Sequence, residues 1–175
     1  MTGLEAAAQC MRCPAGSACA VAGSSEPENC APGSFTSEMG RSSCTGCEPG
    51  RYQRVRGQTG CGLCPSRTFS SFTGAVECNN CLSRLSSYPG SIECGICDEG
   101  FFRLDAWTKA TPEACEPCFE KGARCLVDTT LETVVVLPGF WRLSNRSRVM
   151  TNCKGDAVEQ RCIGGKDAGT SGEGY

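Results

Sequence analysis

Residues 30–47 read CAPGSFTSEMGRSSCTGC, and residues 47–64 repeat the pattern as CEPGRYQRVRGQTGCGLC. In both, a cysteine is followed after two residues by glycine (Gly33, Gly50), and two residues later by an aromatic (Phe35, Tyr52). A second glycine (Gly40, Gly57) stands four residues before the closing cysteine (Cys44, Cys61), and a Cys-x-x-Cys step leads into the next copy. A period of this kind is the first thing to seek in a chain, because it sets the architecture. The third copy runs from Cys64 with Arg67, Phe69, Gly74 and Cys78. A fourth runs from Cys81 with Arg84, Gly90 and Cys94, and a fifth from Cys97 with Gly100, Phe102 and Cys115. The first three enclose 13 residues between cysteines, the fourth 12 and the fifth 17. Aligning Leu85 with Phe69 and Tyr88 with Phe72 accommodates the missing residue of the fourth.

Each feature has a physical reason. The leading glycine permits a positive φ just after the opening cysteine. The aromatic is the one sizeable apolar side chain of a unit and is expected to pack on a neighbouring disulfide. The second glycine lets the chain reverse, so each unit reads as a short hairpin. A lone two-stranded hairpin is marginal in water. Closing a loop of about 15 residues with a disulfide contributes about 3 kcal/mol in the chain-entropy model.

The whole chain has 175 residues with 17 cysteines, no histidine and a formal charge of −2. Cysteine at this density marks a disulfide framework standing in for a large core. It also places the chain in an oxidising compartment, extracellular or at a cell surface. The acidic balance, with a pI near 5.3, excludes the basic footprint of a nucleic-acid binder. The absence of histidine removes the commonest general base and metal ligand. No paired carboxylates or activated nucleophile stand out, so no catalytic residue, metal ligand or cofactor is expected. An exported chain should begin with a signal peptide, yet 1–20 has no continuous apolar run, and no stretch has the 18 or so apolar residues of a membrane span. The chain therefore reads as a piece of a longer protein, attached to a membrane only through parts lying elsewhere.

The repeat suggests that each unit bonds its opening cysteine to its closing one, since bonding inside Cys-x-x-Cys needs a tighter turn. The expected pairs are Cys30–Cys44, Cys47–Cys61, Cys64–Cys78, Cys81–Cys94 and Cys97–Cys115, with Cys13–Cys19, Cys118–Cys125 and Cys153–Cys162 outside the regular units. Cys10 is left over and would close a unit beginning upstream. Two other uses of Cys-x-x-Cys compete. Zinc Cys₄ sites usually separate their pairs by about 15–20 residues, and redox motifs sit at a helix N-terminus; neither context is present.

The stretches CAPGSFTSEMGRSSCTGC, CEPGRYQRVRGQTGCGLC and CPSRTFSSFTGAVECNNC resemble the ephrin-receptor-like family of cysteine-rich repeats, related in style to tumour-necrosis-factor-receptor and EGF-like modules. The likeness extends over roughly residues 10–118. LPGFWRL, followed by Cys153 and Cys162, is similar to the segment after such repeats in large multidomain surface proteins of protists and algae. The resemblance implies an extracellular or membrane-anchored ectodomain without enzymatic activity.

Three regions follow: an incomplete repeat and connector over 1–29, five tandem units over 30–118, and a C-terminal cysteine-containing module over 119–175. In the last, Thr130–Leu137 reads as a strand, Pro138-Gly139 as a turn and Phe140–Leu143 as the returning strand of a capping hairpin carrying Trp141. The glycine-rich stretch from Gly164 to Tyr175 is expected to be disordered. Asn145-Arg-Ser147 is an N-glycosylation sequon. Arg142, Arg146 and Arg148 around it, and Arg51, Arg54 and Arg56, are two basic clusters that could face an acidic protein or an anionic glycan. The fold class is small and disulfide-rich: tandem β-hairpins in an elongated rod with little helix. The expected role is a non-enzymatic spacer and interaction module with an unknown protein or glycan partner. A ligand-binding receptor ectodomain and an intracellular Cys₄ zinc array are the alternatives.

Overall fold

A computed structural model describes residues 13–19 and 26–153. Its contacts divide into two units: Met1–Pro65 with Phe69–Asn79 and Pro89–Ile92, and Ser66–Thr68 with Asn80–Tyr88 and Glu93–Tyr175. Apart from one short 3₁₀ turn, the regular structure among the described residues is strand, in pieces of two or three residues.

In the first unit β1 (Ser17–Ala18) pairs with β2 (Glu28–Asn29), β3 (Ser34–Phe35) with β4 (Thr45–Gly46), and β5 (Arg51–Tyr52) with β6 (Gly62–Leu63), all antiparallel. The returning strand of the second and third hairpins is the two-residue insert of the Cys-x-x-Cys step, so one hairpin ends where the next begins. The hairpin of β7 (Thr68–Phe69) and β8 (Asn79–Asn80) has residues in both units.

Strands this short cannot hold themselves, and two interactions repeat along the first unit to compensate. One is covalent: Cys30–Cys44, Cys47–Cys61 and Cys64–Cys78 close loops with Cα separations of 5.7, 5.8 and 5.7 Å. The other is a backbone ladder between units. The carbonyls of Cys13, Cys30, Cys47 and Cys64 accept from the amides of Gly40, Gly57, Gly74 and Gly90 at 2.7–2.9 Å. The same opening cysteines are buried, while Cys44, Cys61 and Cys78 lie nearer the surface. The core of this unit is thus a file of half-cystines with small companions such as Ser70 and Ala75.

The ladder explains one glycine position better than the turn does. Gly33 has φ +82°, and a Cβ built on it would lie 2.2 Å from the carbonyl oxygen of Gly74. Gly50 meets Gly90 at 2.1 Å in the same way. At the corresponding positions Arg67 and Arg84 keep the left-handed turn, with φ of 66° and 68°. The turn conformation is therefore common to all units, and the crowding that forbids a side chain belongs to some of them.

In the second unit β9 (Leu85–Ser86) pairs with β10 (Ile96–Cys97). Here the expected alignment is corrected. Arg84 takes the left-handed position of Arg67, and Leu85 opens its strand as Thr68 does, so Leu85 corresponds to Thr68 and Ser86 to Phe69. The missing residue comes out of the hairpin tip, where Tyr88-Pro89 replaces Ser71-Phe72-Thr73. The fourth unit consequently has no aromatic at that place. Leu85 is buried instead, in a cluster with Cys97, Ala110 and Cys115.

β11 (Phe101–Arg103) pairs antiparallel with β12 (Glu116–Pro117) and parallel with β14 (Thr129–Thr130). β13 (Ala123–Arg124) pairs with β15 (Val135–Val136), and β16 (Phe140–Trp141) with β17 (Thr151–Asn152). Phe102, Cys125, Leu131 and Val134 form the second apolar cluster, with Phe119 stacked on Phe102 at 5.3 Å.

The strand expected over Thr130–Leu137 is broken by a 3₁₀ turn at Leu131–Thr133. Thr130 donates its amide to the Thr133 hydroxyl at 2.9 Å, a local bond that competes with the strand ladder. Nor do the two arms around Pro138-Gly139 pair with each other, since β15 and β16 take partners on either side.

These pairings expose a further repeat without its clasp. Phe140 and Trp141 face Asn152 and Thr151 as Ser34 and Phe35 face Gly46 and Thr45. The amide of Cys153 donates to Gly139 as Cys47 donates to Gly33. Counting back, Val136 stands where the opening cysteine belongs and Met150 where the closing one does. Val136 is buried like an opening half-cystine, and Met150 packs against the second cluster.

Two predictions follow from this geometry. Gly33→Ala should destabilise by about 2 kcal/mol or more, from left-handed strain plus the clash, whereas Gly100→Ala, with open space at its Cβ, should lose only about 1 kcal/mol. Denaturant unfolding with disulfides intact measures both. The double variant Val136→Cys/Met150→Cys should oxidise spontaneously, seen as a loss of about two daltons per bond, and unfold later, since a loop of about 15 residues is worth about 3 kcal/mol.

Candidate interaction surfaces

Among the described residues seven disulfides join Cys13–Cys19, Cys30–Cys44, Cys47–Cys61, Cys64–Cys78, Cys81–Cys94, Cys97–Cys115 and Cys118–Cys125. Cys153 is also disulfide-bonded. Cys10, Cys162 and the glycine-rich tail from Gly164 lie outside the described residues.

The basic cluster around the sequon is not the open surface its composition suggests. Arg142 is 0% exposed and donates to the carbonyls of Leu131 at 2.6 Å and Glu132 at 3.2 Å, fastening the 3₁₀ turn. Burial holds its guanidinium pKa below the usual value. Arg146 pairs with Glu132 and Arg148 with Glu116, each at 2.8 Å. The positive charges of this cluster are thus spent within the unit. Asn145 lies partly exposed in the turn closed by the Ser147 amide and Ser144 carbonyl. Trp141, expected to cap the array, is half-exposed on β16.

The second cluster stays open. Arg51, Arg54 and Arg56 are exposed around the hairpin of the second repeat, with Val55 exposed between the last two. Arg51 donates to the Cys61 carbonyl, and Arg54 lies 5.7 Å from the Tyr52 ring with its nearest carboxylate, Glu77, at 4.0 Å. Arg56 makes no ion pair among the described residues.

Two arrangements in the second unit were not foreseen from sequence. Asp128, in a left-handed conformation with φ of 61°, accepts from Arg103 at 2.7 Å and from the Tyr88 hydroxyl at 3.2 Å. Partial burial, then the Asp128 charge, raises the Tyr88 pKa. Arg103 also reaches the carbonyl of Thr108 at 3.5 Å, anchoring the base of the long fifth-unit loop. At the head of that loop the Asp105 carboxylate accepts from the Thr108 hydroxyl and amide and from the Trp107 amide, at 2.7–3.0 Å. The Thr108 bonds come first in lowering its pKa. The loop is held, and it displays Trp107 at 96% exposure. No short spacing rule marks these partners; the only signal was the loop's extra length with a tryptophan in it.

Among the described residues no group of three or more histidine, cysteine or acidic side chains is placed to hold a metal, and no helix is long and apolar enough to cross a membrane. One depression, lined by residues including Thr36, Glu38 and Arg41, is polar, and Arg41 and Glu38 close on each other at 2.6 Å.

Clasped mini-hairpins in tandem around a core of half-cystines define the described residues as a small disulfide-rich β-hairpin repeat fold. Residues 33–81 match the family described as tyrosine-protein kinase ephrin type A/B receptor-like, and the repeats of that stretch are similar to those of that family. No curated protein matches the chain.

Asp128→Asn tests the polar cluster. It keeps the shape and the tolerance for a left-handed turn but leaves the mostly buried Arg103 without a counter-charge. The expected loss is about 1–3 kcal/mol in denaturant unfolding. The Tyr88 pKa should fall toward its ordinary value in an ultraviolet phenolate titration, because the adjacent negative charge is gone.

Proposed function

We propose that this chain is a non-enzymatic segment of a cell-surface or matrix protein, serving as a spacer that also presents contact surfaces. The observation that supports it is the regular coupling of each disulfide to the next unit through the opening cysteine's carbonyl. Units joined only to near neighbours make length a function of repeat number, which suits a spacer. The disulfides and the ephrin-receptor-like match fit an extracellular location, where such bonds persist. Sulfurs joined in pairs cannot serve as zinc thiolates, which counts against an intracellular Cys₄ array. The side chains at hand are turns, exposed aromatics and unpaired charges, material for binding another macromolecule.

The ectodomain of a ligand-binding receptor is the second reading, favoured by one feature: the held loop that exposes Trp107 is built for a contact and adds nothing to length.

The experiment is to compare reduction with chelation. Strong reductant should abolish amide NMR dispersion across residues 30–118, while a chelator should change nothing. Dispersion surviving reductant but lost with chelator would overturn the reading. Intact mass before and after reduction should differ by about two daltons for each bond.

A further inference from the structure

We propose that the chain binds a second copy of itself, the Trp107 loop of one molecule seating on the arginine-flanked hairpin tip of another. The proposal rests on the reading of the chain as an interaction module and names the partner. A tryptophan left almost wholly in water on a loop fixed by three bonds to one carboxylate is an anchor with little ordering cost on binding. Leu104 of the same loop is also exposed. The carboxylates of this loop that make no ion pair among the described residues are Asp105 and Glu113. Lys109 of the same loop is already paired with Glu93 at 3.2 Å, so the anchor is an indole on a loop whose charges without an ion pair are negative, which suits a basic protein surface better than an anionic bilayer.

The complement is on the same chain. Around residues 54–56 an exposed valine lies between two exposed arginines, Arg56 without an ion pair among the described residues and Arg54 only loosely held. An indole can cover Val55 and meet a guanidinium face-on, a cation–π contact that strengthens as water leaves. Asp105 and Glu113 then oppose Arg54 and Arg56. The two surfaces differ, so the contact is heterologous, and each molecule keeps one surface free for a further copy.

Sedimentation of the oxidised chain at low salt should show association that grows with concentration. It should weaken at an ionic strength of about 1 M, where charges are screened beyond about 3 Å. Trp107→Ala, and separately Arg54→Glu/Arg56→Glu, should each raise the dissociation constant at least about thirtyfold. Mixed together, these two variants should form a heterodimer and no larger species, because each retains the surface the other lacks. Arg56→Ala, a milder change at an exposed site, should weaken association in the same direction if the double variant folds poorly. Association of Trp107→Ala at wild-type strength, or a mixture that stays monomeric, overturns the proposal. So does an oxidised wild-type chain that remains monomeric, or one that binds anionic phosphatidylserine vesicles through Trp107 instead. A chain that is monomeric yet loses its fold on reduction defeats this pairing alone and leaves the spacer reading standing.

Discussion

The opening half-cystine of each repeat in the first unit carries three duties at once. Its sulfur closes its own hairpin, its side chain fills the interior, and its carbonyl accepts the amide of a glycine in the next repeat. With strands of two residues there is no sheet to share the work. Cooperation between repeats depends on that carbonyl being aimed correctly, and the disulfide is what fixes its direction.

From this constraint the placement of small residues follows. Where the chain two repeats on comes close, as at Gly33 against Gly74, no side chain fits. At Arg67 and Arg84 the same turn carries arginine, and the side chains find use: Arg67 pairs with the nearly buried Asp98, and Arg84 lies over the Phe101 ring at 5.7 Å. Left-handed backbone is tolerated at some cost when the side chain gains a partner.

The period, the hairpins and the near absence of helix could be read from cysteine, glycine and aromatic spacing, because in this architecture those residues are the structure. Reading failed where side chains reached across sequence. Arg142 looked like surface charge because its neighbours are polar, yet it is buried against carbonyls of a 3₁₀ turn that the valine-rich stretch gave no hint of. Matching apolar residue to aromatic aligns Leu85 with Phe69, one place out, because the position is in fact taken by Ser86. Cysteine spacing does not mark the unclasped repeat, because Val136 and Met150 stand in the places of its two cysteines. The Arg103–Asp128–Tyr88 cluster joins residues 25 and 40 positions apart, with no local pattern to announce it.

The exchange of sulfur for hydrocarbon at Val136 and Met150 has a mechanical consequence. When a surface protein is pulled, the thirteen residues inside a bonded loop such as Cys30–Cys44 are bypassed by the covalent link and cannot extend. The loop from Val136 to Met150 has no bypass of its own. It lengthens by roughly 40 Å once its packing gives way, acting as a yielding segment beside inextensible ones.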